Sequence, residues 1–185
     1  MTSTFHTVLD SPYGPLTLVA DTDTDTDTDT DTETDTRGDT EGVLCGLYMA
    51  GQRHRPPEET FGPRDDDLPC FATAKKQLSA YFAGELKEFA LQLALQGTPF
   101  QRSVWQQLSR IPYGETRTYG QLADALGNPQ ASRAVGLANG RNPVGIIVPC
   151  HRVVGSDGSL TGYGGGLDRK RRLLDFERGA ALFSA

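Results

Sequence analysis

Apolar and polar positions give the two halves of this chain different textures. SPYGPLTLVAD (11–21) and GVLCGLYMAG (42–51) are short runs of β-branched and aromatic residues bounded by Gly, Pro and Asp, a pattern that predicts strands. Between them, DTDTDTDTDTDTETDT (21–36) places an acid at every second position. As a strand it would carry like charge on one face and only threonine on the other, so no core can form. We expect a disordered acidic insertion over 21–41 that lengthens a hairpin connection at little entropic cost. RHRPPEETFGPRDDDLP (53–69) reads as a polar, proline-rich loop. In CFATAKKQLSAYFAGE (70–85), Phe71, Leu78, Tyr81 and Phe82 fall near helical spacing and Gly84 supplies a stop. EFALQLAL (88–95) alternates like a further strand.

From Thr98 onward the pattern changes to compact helices with explicit caps. TPFQ offers Thr98 as N-cap, Pro99 at the first helical position and Gln101 as the reciprocal partner of a capping box, opening a helix through Val104, Trp105 and Leu108 to Arg110. TYGQLADALG repeats the device with Thr118 and Gln121 and stops at Gly127. NPQASRAVGLANG starts a third helix, with Asn128 as its cap and Pro129 behind it. Two short helices joined by a tight Gly-Asn turn form a helix-turn-helix pattern, whose second helix would present Gln130, Ser132 and Arg133 to a DNA groove. The closing LDRKRRLLDFE (167–177) reads as an amphipathic helix with Leu167, Leu173 and Leu174 inward and 169–172 outward. The fold class is therefore mixed α/β (α+β): an antiparallel sheet with a helix in a first domain, 1–96, then a mainly helical second domain, 97–180.

Charge refines this picture. The 185 residues carry a net −6, but residues 21–41 alone hold ten acids and one arginine, so the remainder is positive at +3. Residues 97–185 have eleven Lys or Arg against six Asp or Glu, a surplus suited to a polyanion. No apolar run approaches the ~20 residues that span a bilayer. Three scattered cysteines, Cys45, Cys70 and Cys150, do not make a disulfide framework. A cytoplasmic, monomeric protein without membrane contact is expected. His6 and His54 lack ligand-spaced partners and are read as structural or exposed.

The chemistry concentrates at IIVPCHRVVG (146–155), where Cys150 is flanked by His151 and followed by Arg152. Arg141 and Arg152 add positive charge, which favours the thiolate, and Glu177 ends a helix downstream. In an extended strand, neighbours i and i+1 point to opposite faces, so His151 is expected to reach Cys150 through a water, with Glu177 on the far side of the imidazole. Asn142, held before Pro143, can tie a turn through its side chain, and LTGYGGG brings Tyr163 with close-approach glycines.

PCHR within NPVGIIVPCHRVVGSDGSLTGYGGGL, preceded by PYGETRTYGQLADALGNPQASRAVG, closely resembles the O6-alkylguanine-DNA alkyltransferases, over about Thr98 to Glu177. The SPYGPLTLVA opening resembles that family's N-terminal domain, which is similar to a ribonuclease H-like fold. The resemblance implies repair of double-stranded DNA by irreversible, single-turnover transfer of a methyl or other alkyl group. The group would leave O6 of guanine, with O4 of thymine as a second candidate, for Cys150 after nucleotide flipping. By matching position, His151 and Glu177 generate the thiolate and Tyr119 protonates the leaving guanine. Arg133 fills the gap left by the flipped nucleotide, and Asn142 ties the helix-turn-helix to the reactive segment. Tyr163 lines the base pocket. Gln130, Ser132, Arg141 and Arg152 complete the expected DNA contacts.

The acidic insertion departs from the family pattern and is expected to project away from DNA. Some relatives bind zinc in the first domain, but Cys45 and Cys70 lack the company for a four-ligand site, so neither metal nor cofactor is expected. Two other classes stay in view. A module that binds alkylated DNA without reacting would lack the acceptor cysteine. A cysteine hydrolase is suggested only by thiol plus imidazole, against which the adjacent placement and the helix-turn-helix both argue.

Overall fold

The computed structural model describes residues 3–22 and 41–179. Strands β1 (Thr4–Leu9), β2 (Leu16–Asp21) and β3 (Val43–Met49) form an antiparallel sheet in that order. The strand reading of 11–21 holds only from Leu16, because Ser11 to Pro15 make the turn from β1, where the Ser11 hydroxyl donates to the Gly14 carbonyl. β1 itself was not anticipated: as an edge strand only half covered, it buries only Thr7. The expected disordered insertion lies outside the described residues apart from its ends, Asp21, Thr22 and Glu41, and it joins the adjacent strands β2 and β3.

Helix α1 (Pro69–Phe82) lays Phe71, Ala74, Leu78 and Tyr81 against the sheet. The predicted strand at 88–95 does not form. Only a single bridge joins Leu93 to Leu44, and both backbone groups of Ala90 are taken by the Gln77 amide (2.8 and 3.0 Å) instead of a strand partner.

Both predicted capping boxes are present, at Thr98/Gln101 on α2 (Pro99–Ser109) and Thr118/Gln121 on α3 (Tyr119–Ala125). Each contributes about 1 kcal/mol to helix stability. The third start differs from expectation. The Asn128 side chain makes no cap bond, a 3-10 turn at Pro129–Ala131 intervenes, and α4 runs Ser132–Gly140. A two-residue parallel ladder, β4 (Arg117–Thr118) with β5 (Val153–Val154), ties the start of α3 to the segment after Cys150.

The last helix, α5 (Leu167–Glu177), buries Leu173 and Leu174 as predicted but corrects two positions. Leu167 is 46% exposed, and Lys170, expected outward, is 0% exposed. One continuous apolar core joins both halves, from Leu18, Leu47 and Leu78 through Trp105 and Leu108 to Val135 and Leu173. Each fully buried leucine stabilises by roughly 2 kcal/mol. Leu47 N–H donates to the Pro143 carbonyl (2.9 Å), which fixes the sheet edge against the segment carrying Cys150.

Candidate active site

The segment before Cys150 is not the extended strand its apolar run suggests. Ile146 adopts a left-handed backbone (φ 70°), and Cys150–Arg152 closes a 3-10 turn, leaving only Val153–Val154 extended. Asn142 shapes this path: its Oδ1 accepts from Val144 N–H (3.0 Å) and its Nδ2 donates to the Val148 carbonyl (2.8 Å). Asn139, which the sequence reading passed over, adds a longer bond to the Cys150 carbonyl (3.4 Å) from α4. The turn aims three consecutive side chains into the interior, with Cys150 only 6% exposed and His151 fully buried.

Glu177 collects the polar groups of that interior. His151 Nε2–H donates to its Oε1 (2.7 Å), and Arg152 donates from Nε to Oε2 and from Nη2 to Oε1 (both 2.8 Å). The Tyr81 hydroxyl, arriving from α1, also donates to Oε1 (2.7 Å). Burial alone would raise the Glu177 carboxyl, but the hydrogen bonds from His151 and Arg152 hold it well below the usual carboxylate range. Burial drives the His151 imidazole below its ordinary value despite Glu177. It is therefore neutral at physiological pH, and its Nδ1 has no partner among the described residues. The Cys150 thiol is raised by burial, opposed by an Asn142 side-chain bond and by the Lys170 charge. The resting residue is thus a thiol beside a neutral base.

The loop over Cys150 is pinned from several sides. The Thr161 carbonyl accepts from both Tyr119 Oη (2.9 Å) and Lys170 Nζ (2.8 Å). Burial brings the Lys170 ammonium down to about 8, offset by the nearby Cys150. Arg53 N–H donates to the Gly164 carbonyl (2.8 Å). Gly165 is required where it sits, because a Cβ there would stand 2.7 Å from the Met49 sulfur. Beneath the loop, Cys150, Asn142, Gln52 and Tyr163 enclose a free volume of only about 10 Å³, no more than a single water needs. Anything larger than a water enters only if the lining residues move.

The profile for the 6-O-methylguanine DNA methyltransferase DNA-binding domain matches residues 99–179. The methylated-DNA–protein-cysteine methyltransferase of Mycobacterium tuberculosis is 50% identical over 94% of this chain and 92% of its own length. That of Methanosarcina acetivorans is 47% identical over 94% and 97%. The chain belongs to the methylated-DNA–protein-cysteine methyltransferase family. Its fold also matches the crystal structure of Mycobacterium tuberculosis OGT in complex with DNA, at a TM-score of 0.78 and 48% identity, covering 97% of this chain and 99% of that one.

Within this methyltransferase fold, the expected residues fall into two groups. Cys150, Asn142 and Tyr163 line one small pocket, His151 and Glu177 are bonded to each other in the interior, and Tyr119 is bonded to the Thr161 carbonyl. Gln130, Arg133 and Arg141 are exposed and Ser132 is half-buried along the α4 side of the molecule. Arg152 is corrected: expected at the DNA surface, it is buried at 6% exposure, with its guanidinium spent on Glu177 and on the Ile111 carbonyl (2.6 Å). Besides Asn139, two members of the site escape the sequence reading. Tyr81 was read as a core position of its helix, and Lys170 was hidden within a run of arginines.

Proposed function

We infer that this protein repairs duplex DNA by moving a methyl or other alkyl group from O6 of guanine to Cys150 Sγ, once per molecule. Sulfur forms the new S–C bond as the C–O6 bond breaks, and that electron pair stays on the guanine oxygen. The proton lost by Cys150 passes through a water to His151 Nδ1, and the resulting imidazolium is held by Glu177. The Tyr119 hydroxyl, bonded to the Thr161 carbonyl before DNA arrives, supplies a proton to the leaving base. O6 of a stacked guanine cannot be reached by a side chain, so the nucleotide is extruded into the pocket at a cost of a few kcal/mol. Arg133 fills the gap it leaves.

The observation that carries this reading is the neutral, buried His151, with Glu177 on Nε2 and a free Nδ1, next to a buried thiol. We further assign α3 and α4 as a helix-turn-helix, with Gln130 and Ser132 as DNA contacts, within a domain spanning 97–180 that follows a first domain at 1–96. A cytoplasmic monomer fits three free cysteines, which a reducing compartment preserves. Among the described residues, no helix is long and apolar enough to cross a membrane.

Intact-mass measurement after incubation with a duplex carrying O6-methylguanine tests the assignment. A gain of one methylene equivalent on Cys150, absent in Cys150→Ala, is expected. Unchanged mass with tight binding would indicate a binding module, and repeated turnover a hydrolase; either overturns the assignment.

A further inference from the structure

The first part of the chain shows no catalytic constellation in its sequence, yet one of its turns reaches the mouth of the pocket. β3 ends at Met49, and the next residues double back. Gln52 Oε1 accepts from Met49 N–H (2.9 Å), and His54 takes a left-handed backbone (φ 60°). A non-glycine residue in that region is uncommon and is held there only where surrounding structure fixes it. Here backbone bonds hold both sides of it, from Arg53 N–H to the Gly164 carbonyl (2.8 Å) and from Arg55 N–H to the Gln52 carbonyl (3.3 Å). With its backbone tied to the pocket loop, the turn leaves the Arg53 and His54 side chains exposed.

These side chains face an open cleft of about 310 Å³, whose other wall is Leu137, Gly140 and Arg141 at the end of α4 and whose floor is Gly162 to Gly164. Among the described residues, neither Arg53 nor Arg141 lies within ion-pairing distance of a carboxylate, whereas Arg55, Arg64, Arg117 and Arg152 do. The His54 imidazolium is disfavoured by desolvation and by the Arg141 and Arg53 charges, which places all three in one another's field. Leu137, 70% exposed on the same wall, leaves an apolar side chain in water. Unneutralised like charges gathered along a cleft repel one another unless an anion joins them.

We propose that the Arg53–His54 turn, together with Arg141, grips backbone phosphates of the DNA strand that carries the extruded nucleotide. This rests on the reading of Cys150 as acceptor of an alkyl group from DNA. The turn then lets the first part of the chain hold DNA directly. Because the same turn anchors Gly164, phosphate engagement and pocket shape are mechanically joined. Phosphate contacts position DNA without reading its sequence, as repair in any sequence context requires.

Binding of an undamaged duplex to the full-length protein, followed by anisotropy across a salt series, tests this. Arg53→Ala is expected to weaken binding about fivefold at physiological salt, equally for unrelated sequences, and to lower the slope of log K against log salt by about 1. Arg53→Glu is expected to weaken it further. His54→Asn, which keeps a residue tolerant of the left-handed backbone, is expected to give a smaller loss. Reaction with free O6-methylguanine base, which has no phosphate, reports the pocket separately. Unaltered affinity and salt slope in Arg53→Glu would overturn the proposal. So would a free-base rate that falls in step with DNA affinity, since the turn would then be only a pocket wall. Failure of the alkyl-transfer reading is seen independently, as wild-type Cys150 that gains no mass.

Discussion

The buried cluster around Glu177 and the exposed arginines proposed to meet DNA follow opposite rules. Around Glu177, every donor is matched: five hydrogen bonds from His151, Arg152, Tyr81 and the Gly114 N–H converge on one carboxylate in a site closed to solvent. Along Arg133, Arg141 and Arg53 the cations stand exposed, with no carboxylate in ion-pair range among the described residues. On that proposal, the difference reflects when each set finds its partner. Proton transfer needs groups ordered before the substrate arrives, whereas a phosphate grip gains from charges left unpaired until it does.

The widest gap between the two regions appears when one charge is removed from each. Glu177→Gln keeps an acceptor for His151 but leaves the buried Arg152 guanidinium uncompensated. Breaking a buried pair in this way costs about 3–5 kcal/mol, so a large drop in melting temperature together with near-complete loss of alkyl transfer is expected. The pH dependence sharpens the assignment. His151 and Glu177 are both lowered in the folded protein, so the unfolded chain takes up protons first as pH falls. The stability these groups lend is full at neutral pH. It declines below about 6.5, where an unfolded histidine protonates, and then through the carboxylate range. In Glu177→Gln the second decline should shrink sharply, leaving the smaller share of the exposed carboxylates that are also lowered, Asp66 and Asp157. Persistence of that decline would show that another carboxylate governs acid unfolding.

What the sequence made legible follows from the same contrast. Capping boxes are local, so Thr98/Gln101 and Thr118/Gln121 were readable from spacing alone. The order of the PCHR segment and the helices before it named the family, and with it Glu177. The path of 146–152 was not legible, because Ile146 and the 3-10 turn at Cys150 are imposed by Asn142 bonds from outside the run. Arg152 looked like a surface cation because its partner lies 25 positions away. Tyr81, 96 positions from Glu177, carried only a helical-spacing signal. Lys170 sits in a run of basic residues that reads as solvated, and only the packed structure shows which of them turns inward.

A smaller effect is expected at Lys170, which stands between the two regions. Its buried ammonium donates to Thr161 and lies within 6.0 Å of the Tyr119 ring. Lys170→Met fills similar space without the charge, so the fold should persist while the loop loses one of its pins. Loss of a bond to a charged donor is worth about 1.5–3 kcal/mol. Amide exchange at 161–164 should therefore quicken by about tenfold or more. Transfer should slow more modestly, because Lys170 also favours the Cys150 thiolate. Exchange unchanged from wild type would mean that Tyr119 and Arg53 hold the loop unaided.

The least effect is expected from the most conspicuous stretch of sequence. The acidic segment leaves β2 after Asp21 and returns before Val43, while the Arg53–His54 turn follows the opposite end of β3. Seven residues of strand put about 20 Å between those ends. At physiological ionic strength charges are screened over about 8 Å, so deleting 23–36 should leave DNA affinity and transfer unchanged despite the removal of seven acids. At 0.01 M salt the screening length grows to about 30 Å, and the same deletion should then tighten DNA binding by relieving repulsion. A deletion that alters affinity at physiological salt would place those acids on the DNA side of the molecule.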